Sequence, residues 1–430
     1  MKSKTVLLVN PWIYDFAAYD FWIKPWGLLK ISSILKSAGF KVFLTDCLYR
    51  QHPNLLTNTK SAKNGTGKFI MENIQKPLAL KGIPRKYKRY GLPVDIAESS
   101  MPNEKIDFIM VSSGMTYWYP SVIDIIKILR KKFDSVPIIL GGTYATLCYE
   151  HAVKYSGADI VIKSKELFKL NTFLGEDLDF SWENILNTSI DYSSYSNSPY
   201  GILRISLGCP FSCAYCAQNL LSPSFMLKDM GKALDELKML ISMGIKIFAF
   251  YDDALLYAQE YIKKYFNEIY KLGDGLSFYT PNGLHARFIS FEIAVLMKKI
   301  NLVNPIISLE TIDPRNEKKW HSKITKNDFL NAVKNLKSAG YKTGEYSAYI
   351  LLGAPDADEK GVKETIDFAR GEGAKILLSE YSVVPGTPIA SFDAGFNEEP
   401  LYHNNSVYPS FKISEWHKIQ SIKNYAKLLE

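Results

Sequence analysis

The chain has 430 residues, a formal net charge of +8, and 47% hydrophobic against 22% charged residues. That composition excludes a disordered or fibrous chain and leaves room for two or three domains of roughly 100–200 residues each. Every apolar run falls short of the roughly 20 residues of a membrane span, and five cysteines at irregular spacing do not make a secreted disulfide framework, so a cytoplasmic protein is expected.

The first apolar run, residues 5–9, is halted by Asn10-Pro11 and is too short for the core of a signal peptide. It reads instead as a buried parallel strand. Residues 26–38 read as an amphipathic helix, with Leu28, Ile31, Ile34 and Leu35 on one face and Gly39 as the stop. A second strand follows over 41–46, which completes a βαβ unit. The alternation resumes with a strand over 107–112, a helix over 121–133, a strand over 137–140 ending in Gly141-Gly142, a helix over 144–155 and a strand over 158–162. Residues 1–167 are therefore expected to form a doubly wound, Rossmann-like α/β domain. Such domains take ligands outside the carboxyl ends of their strands, which here means the loops 10–12, 112–119 and 141–144.

Residues 52–100 form a poorly periodic insertion. Its stretch Lys81-Gly82-Ile83-Pro84-Arg85-Lys86-Tyr87-Lys88-Arg89-Tyr90 interleaves positive charge with tyrosine, a pattern that can grip phosphates or stack on bases. A solvated basic loop packed on its own domain is the simpler reading, and nucleic acid is not expected as a partner. Gly65-Thr66-Gly67-Lys68 is not a phosphate loop, because the upstream glycine is missing and Phe69 replaces the required Ser or Thr. Residues 168–200, rich in Asn, Ser and Asp, read as a linker.

The second domain, residues 201–390, opens on a strand over 202–207. It continues through helices and strands in about six β/α repeats, which suits a partial (β/α)6 barrel of the TIM type. Chemistry in such barrels sits at the carboxyl ends of the strands. The residues there are Tyr251-Asp252-Asp253, Thr280-Pro281-Asn282-Gly283, Glu310-Thr311 and Gly353. Residues 391–430 read as a C-terminal extension with one helix over 414–429, expected to cap the barrel.

Directly after the first of these strands comes Gly208-Cys209-Pro210-Phe211-Ser212-Cys213-Ala214-Tyr215-Cys216. Thiolates this close together point to one soft metal centre, which means zinc, copper(I) or an iron–sulfur cluster. A closed zinc site needs a fourth ligand, and no histidine lies between His151 and His285. Three buried structural cysteines are a weaker reading for a glycine- and proline-bearing loop. A four-iron cluster is usually held by four cysteines, so three would leave one iron open to a non-protein ligand.

This C-x-x-x-C-x-x-C pattern resembles that of the radical SAM enzymes, over roughly residues 202–388. The resemblance implies a 4Fe-4S cluster on Cys209, Cys213 and Cys216, with S-adenosylmethionine on the open iron. It implies that Tyr215 meets the adenine through its backbone. Asp252 and Asp253 stand where many members carry a Gly-Gly-Glu contact to the methionine amine, although the glycine pair is absent here. Asn282, Ser308 and Glu310, polar residues at later strand ends, are candidates for the ribose hydroxyls or the methionine carboxylate, Glu310 only for the hydroxyls or the amine, and Tyr349 is a candidate relay for a radical or hydrogen atom, with an ordinary inward barrel tyrosine as the alternative. His285 and Arg287 follow a strand end and are candidates to face substrate.

An α/β domain ahead of such a barrel is similar to the cobalamin-dependent class, as are Pro137-Ile138-Ile139-Leu140-Gly141-Gly142, Tyr251-Asp252-Asp253 and Pro385-Gly386-Thr387-Pro388. That resemblance implies cobalamin against the strand ends of the first domain, near Ser112, Thr116, Gly141, Gly142 and Tyr144. No D-x-H-x-x-G motif is present, and Tyr144 stands where many relatives have a histidine. The expected function is radical cleavage of S-adenosylmethionine leading to methyl transfer to a carbon of a small-molecule substrate, with flavodoxin or ferredoxin as electron donor. The alternatives are an oxidation, rearrangement or cyclisation without cobalamin, and an iron–sulfur sensor without turnover. Methylthio transfer to transfer RNA fits less well, because Cys47 and Cys148 cannot supply the three ligands of a second cluster.

Overall fold

The computed structural model describes residues 4–55, 59–321, 324–355, 357–390, 398–407 and 413–428. The chain divides into one unit of Met1–Tyr200, Leu220–Pro223 and Glu398–Tyr402, and a second of Gly201–Asn219, Ser224–Asn397 and His403–Glu430.

The first unit contains strands β1 (Thr5–Asn10), β2 (Ile13–Asp15), β3 (Lys41–Asp46), β4 (Met71–Asn73), β5 (Lys88–Tyr90), β6 (Phe108–Val111), β7 (Ile138–Leu140) and β8 (Ile160–Val161). Its helices are α1 (Trp26–Ser37), α2 (Val94–Ser100), α3 (Tyr119–Phe133), α4 (Thr143–Leu147), α5 (Tyr149–Tyr155), α6 (Leu170–Leu174) and α7 (Trp182–Asn187). Five strands form a parallel sheet in the order β3-β1-β6-β7-β8. Interior strand β1 is covered on both faces, and Val6, Leu7, Leu8 and Val9 are wholly buried. This is the doubly wound order whose switch point lies between β1 and β6, where the chain reverses its direction of travel across the sheet.

Three expectations change in detail. The insertion is structured: β5 pairs antiparallel with β2 and with β4, placing Tyr90 opposite both Ile13 and Met71. Three-residue strands are too short to show a period of two, so periodicity missed them. The tyrosines of the basic stretch face inward, since the Tyr87 and Tyr90 hydroxyls donate to the carbonyls of Tyr14 and Phe16, both at 3.1 Å. Arg85 and Arg89 lie over the rings of Phe16 and Trp12. The helix expected over 144–155 is two helices, broken at Cys148, whose φ of −124° is not helical. Residues 168–200 carry α6 and α7 and pack on α1, with Lys30 Nζ donating to Thr188 O at 2.6 Å.

The second unit contains β9 (Gly201–Leu203), β10 (Ser206–Leu207), β11 (Met226–Leu227), β12 (Ile247–Phe250), β13 (Ser277–Tyr279), β14 (Leu284–His285), β15 (Ile306–Glu310), β16 (Ser347–Leu352) and β17 (Lys375–Glu380). Its helices are α8 (Gln218–Leu221, which crosses the division between the units), α9 (Met230–Ser242), α10 (Gln259–Lys271), α11 (Phe291–Lys299), α12 (Pro314–Lys319), α13 (Lys326–Ser338), α14 (Glu359–Gly371) and α15 (Ile413–Leu428). Helices α9, α11, α13 and α14 begin on Asp229, Ser290, Thr325 and Asp358, whose side chains accept first-turn amides.

The barrel strands are parallel and form two arcs, β13-β12-β9 and β14-β15-β16-β17. The arcs part at residues 280–283, where Gly283 turns the chain at φ +75°. The single strand expected over 202–207 breaks at Arg204-Ile205, and β10 pairs antiparallel with β11. The Asp252 carboxylate accepts the amides of Ile205 and Ser206, which removes those donors from the ladder. Helix α15 rests on α14, where Arg370 donates to Ala426 O at 2.8 Å. Among the described residues, no helix is long and apolar enough to cross a membrane.

Candidate active site

The cysteine loop leaves β10 at Gly208, whose φ of +81° lets the chain turn out of the strand. Cys213 is 7% exposed, Cys209 is half-buried and Cys216 is exposed. The middle of the loop is held from both sides. The Ala214 amide donates to Trp320 O at 2.9 Å, and the Ile389 amide donates to Ala214 O at 3.1 Å. Ala214 belongs to a core cluster with Trp320, Leu351, Tyr381, Val383 and Ile389, and Tyr215 packs against it. The segment Pro385-Gly386-Thr387-Pro388 thus leads directly into a residue that anchors the loop.

Among the described residues, no three His, Cys, Asp or Glu side chains converge on a position that a single ion would take. A four-iron cubane makes a different demand: each thiolate binds its own iron, so the sulfurs stand apart instead of surrounding one centre. Three thiols on one anchored loop, one buried and two partly or fully exposed, are the donor set that such a cluster takes.

Glu310 closes β15. It is 8% exposed and sits at φ +67°, a left-handed conformation that is strained for glutamate. The register against β16 slips between Ser308 and Glu310, and the Thr311 amide turns back to Leu309 O at 2.8 Å. This bulge brings the Glu310 carboxylate beside the Tyr215 phenol, whose pKa is driven well above its ordinary value by burial, then by Glu310 and Cys213. A strained, buried carboxylate next to the cysteine loop is a feature that the sequence did not single out from its neighbours.

The other strand-end residues are tied largely to the protein itself. Asp252 Oδ1 accepts the Ile205 amide at 3.1 Å, the Ser206 amide at 2.5 Å and the Ser206 hydroxyl at 2.6 Å. Burial pushes its carboxyl up to about 7, against the lowering pull of Ser206 and Arg204. Asp253 pairs with Arg204 and accepts from Gly208 and Gln218. Asn282 Nδ2 reaches Tyr251 O at 3.0 Å and Asp252 O at 3.3 Å. The Tyr349 hydroxyl donates to Pro281 O at 2.8 Å. Ser308 is buried, and a Cβ placed on Gly283 would stand 2.9 Å from its Oγ. His285 is buried and its ring lies 4.5 Å from that of Phe211 in the cysteine loop, while Arg287 pairs with Asp328. Arg204, Gln218 and Trp320 were not anticipated. A charged residue inside the apolar run 202–207 was the available signal for Arg204.

In the first unit, Ser112 Oγ donates to Asn10 Oδ1 at 2.9 Å, and Asn10 in turn donates to Asp46 Oδ1 at 2.7 Å. Thr116 is buried in a single helical turn. Tyr144 is fully buried; its hydroxyl lies 2.7 Å from His151 Nδ1 and its ring stacks on Tyr119. Gly142 packs on Ser113, whose carbonyl oxygen would lie 2.3 Å from an added Cβ. Gly141 differs: an added Cβ would meet only Ile162 O, at 3.9 Å. Open backbone at this strand end is what a flat macrocycle needs, so Gly141 fits cobalamin, whereas Gly142 is packed on Ser113 and Tyr144 does not face outward to meet it.

Residues 203–369 match the model of the Radical SAM superfamily. An uncharacterized methyltransferase of Pyrococcus horikoshii is 25% identical over 175 residues, 40% of this chain and 37% of its own length. A ribosomal protein uS12 methylthiotransferase, RimO of Hydrogenobaculum sp., is 25% identical over 205 residues, 45% of this chain and 50% of its own length. The chain therefore spans half or less of these curated relatives. Among solved structures, the radical S-adenosylmethionine methyltransferase TsrM of Kitasatospora setae, with cobalamin and a [4Fe-4S] cluster bound, superposes with a TM-score of 0.67 at 14% identity, over 91% of this chain and 75% of that one. OxsB, a cobalamin-dependent S-adenosylmethionine radical enzyme, superposes with a TM-score of 0.58 at 13% identity, over 98% of this chain and 56% of that one. At these identities the likeness is one of fold. Residues 203–369 thus match the radical SAM superfamily model, and the chain as a whole shares its fold with TsrM and OxsB.

Proposed function

We propose that the chain is a cytoplasmic radical SAM enzyme that methylates a carbon of a small-molecule substrate, with cobalamin as the methyl carrier. The reading is carried by one observation: the cysteine loop is pinned at the carboxyl ends of a parallel barrel, beside a strained and buried glutamate. Cys209, Cys213 and Cys216 would hold the cluster, which when bound supplies the electron that cleaves S-adenosylmethionine to methionine and a 5′-deoxyadenosyl radical. Cobalamin, when bound, supplies a methyl group to carbon.

The chain's own residues bind, orient and exclude water. Glu310 is the carboxylate best suited to the methionine ammonium group. Glu310 stands at a bulge beside Tyr215 of the cysteine loop, which supports that role, and Asp252 and Asp253 accept backbone amides of the strand and loop that precede the cysteines. A charge-assisted bond there would fix the amine. Tyr215 forms one wall and keeps its proton at neutral pH, because burial drives its pKa up. Asn282 and Tyr349 tie the 280–283 turn to neighbouring strand ends, so that wall is rigid.

A second reading keeps the radical chemistry without cobalamin. The inward packing of Tyr144 and Thr116 and the engagement of Ser112 favour it. Methylthio transfer remains the weaker alternative. Cys47 is wholly buried, and burial pushes the Cys148 thiol up to about 12, so neither is poised to bind metal.

Anaerobic reconstitution with iron, sulfide and hydroxocobalamin tests the proposal. We expect about four irons per chain, corrin absorption that survives desalting, and 5′-deoxyadenosine or S-adenosylhomocysteine on adding S-adenosylmethionine and a reductant. Iron without corrin, with 5′-deoxyadenosine still formed, selects the second reading. Iron with no product at all leaves a sensor.

A further inference from the structure

Asp253 lies just beyond β12, and a single oxygen of its carboxylate holds both ends of the cysteine loop. Oδ2 accepts from the Gly208 amide at 3.2 Å and from Gln218 Nε2 at 2.7 Å, and it pairs with the Arg204 guanidinium. Gly208 immediately precedes Cys209, and Gln218 follows Cys216 by two residues. The Arg204 and Asp253 side chains are only 13% and 15% exposed, so solvent screens the pair weakly. Asn219 adds a strut, its Nδ2 donating to Phe211 O at 3.3 Å.

We propose that Asp253 and Arg204 form a positioning pair: Asp253 clamps the loop that carries Cys209, Cys213 and Cys216, and the two opposite charges together set the electrostatic field at the cluster. The proposal rests on the radical SAM reading above and gives Asp253 a role other than contact with S-adenosylmethionine. Its mechanical consequence follows from the hydrogen bonds: without the carboxylate, both ends of the loop lose a charge-assisted bond at once. Its electrostatic consequence follows from the pairing. Reduction adds negative charge to a cluster, and cluster potentials respond to net charge nearby. Neutralising Asp253 leaves the Arg204 cation uncompensated and favours the reduced form. Neutralising Arg204 leaves the anion and disfavours it.

Two measurements test this on the full chain. The first is iodoacetamide labelling of metal-free protein, resolved by mass spectrometry at each cysteine. Asp253→Ala is expected to label Cys209 and Cys213, half-buried and buried in the intact loop, about tenfold faster, the ratio for loss of one hydrogen bond to a charged group, with Cys148 unchanged as a control for global unfolding. Unchanged loop rates overturn the clamp. If Cys148 also accelerates, Gln218→Met decides, because it removes one strut and keeps the ion pair; it should speed the buried Cys213, and an unchanged rate overturns the clamp.

The second measurement is an EPR-monitored redox titration of reconstituted protein. Asp253→Asn should raise the midpoint potential, Arg204→Gln should lower it, and the double variant should return towards the wild-type value. Shifts of the same sign, or no shift, overturn the electrostatic role. Wild-type protein that takes up no iron refutes the radical SAM reading, and the labelling arm then still decides the clamp. Iron-replete wild type with unaltered variants refutes the positioning pair alone.

Discussion

The carboxylate of Asp252 accepts the Ser206 amide at 2.5 Å and the Ser206 hydroxyl at 2.6 Å, so one buried acid closes the break in the first barrel strand. Burial outweighs these bonds and raises its carboxyl to about 7 from the ordinary value of 3.8. Between those two values the folded chain keeps a proton that the unfolded chain has released. Stability from this site is therefore fully present below about pH 4, falls as pH rises, and levels off above about pH 7. Asp252→Asn removes the titration. We expect the stability difference between wild type and variant, from denaturant unfolding at several pH values, to change by on the order of a few kcal/mol across that window. A difference that does not vary with pH refutes the shifted carboxyl.

Glu310 combines burial with a backbone conformation that glutamate seldom adopts. If its charge meets the methionine ammonium group, Glu310→Gln removes a hydrogen bond to a charged group, about 1.5–3 kcal/mol. The expected result is roughly 10- to 100-fold weaker binding of S-adenosylmethionine to reconstituted protein, measured by equilibrium dialysis. Asp253→Asn should change that affinity much less. Equal losses in the two variants would return the amine contact to the aspartate.

Neighbouring glycines in the first unit make opposite demands. Gly142 has φ +97° and no room for a Cβ against Ser113, so Gly142→Ala should destabilise the fold by roughly 2 kcal/mol or more. Gly141 has room, so Gly141→Ala should leave thermal stability nearly unchanged while reducing corrin retained after desalting. Full corrin retention in Gly141→Ala would place cobalamin elsewhere or remove it from the reading.

Serine at Cys209, Cys213 or Cys216 should each cut iron content to a small fraction of wild type, because every thiolate holds a different metal corner. Serine at Cys47 or Cys148 should leave iron content intact, since burial pushes both thiols up and away from the thiolate form. Iron analysis of the anaerobically reconstituted variants checks this. Equal iron loss at Cys148 would revive a two-cluster enzyme.

Much of this molecule is local and was therefore legible in the chain. The three cysteines share one short loop, so their spacing alone marks a metal-binding motif. The alternation of apolar runs with helical periods reports burial on both faces of parallel strands, and it placed the sheet of the first unit and the repeats of the second. The three-residue strands of the insertion carried no such period.

What the sequence could not decide is which strand-end carboxylate does what. Asp252, Asp253 and Glu310 look alike as letters at the ends of strands. Their surroundings separate only when Ile205, Ser206, Gly208 and Gln218 arrive from another stretch of chain to engage the first two, and when a slip in register turns Glu310 towards Tyr215. Hydrogen bonds between residues far apart in sequence leave no periodic trace, so only the folded chain assigns them. The cysteine motif is nine consecutive residues and was legible in the sequence, whereas the hydrogen-bond partners of the acids around it were set by tertiary packing.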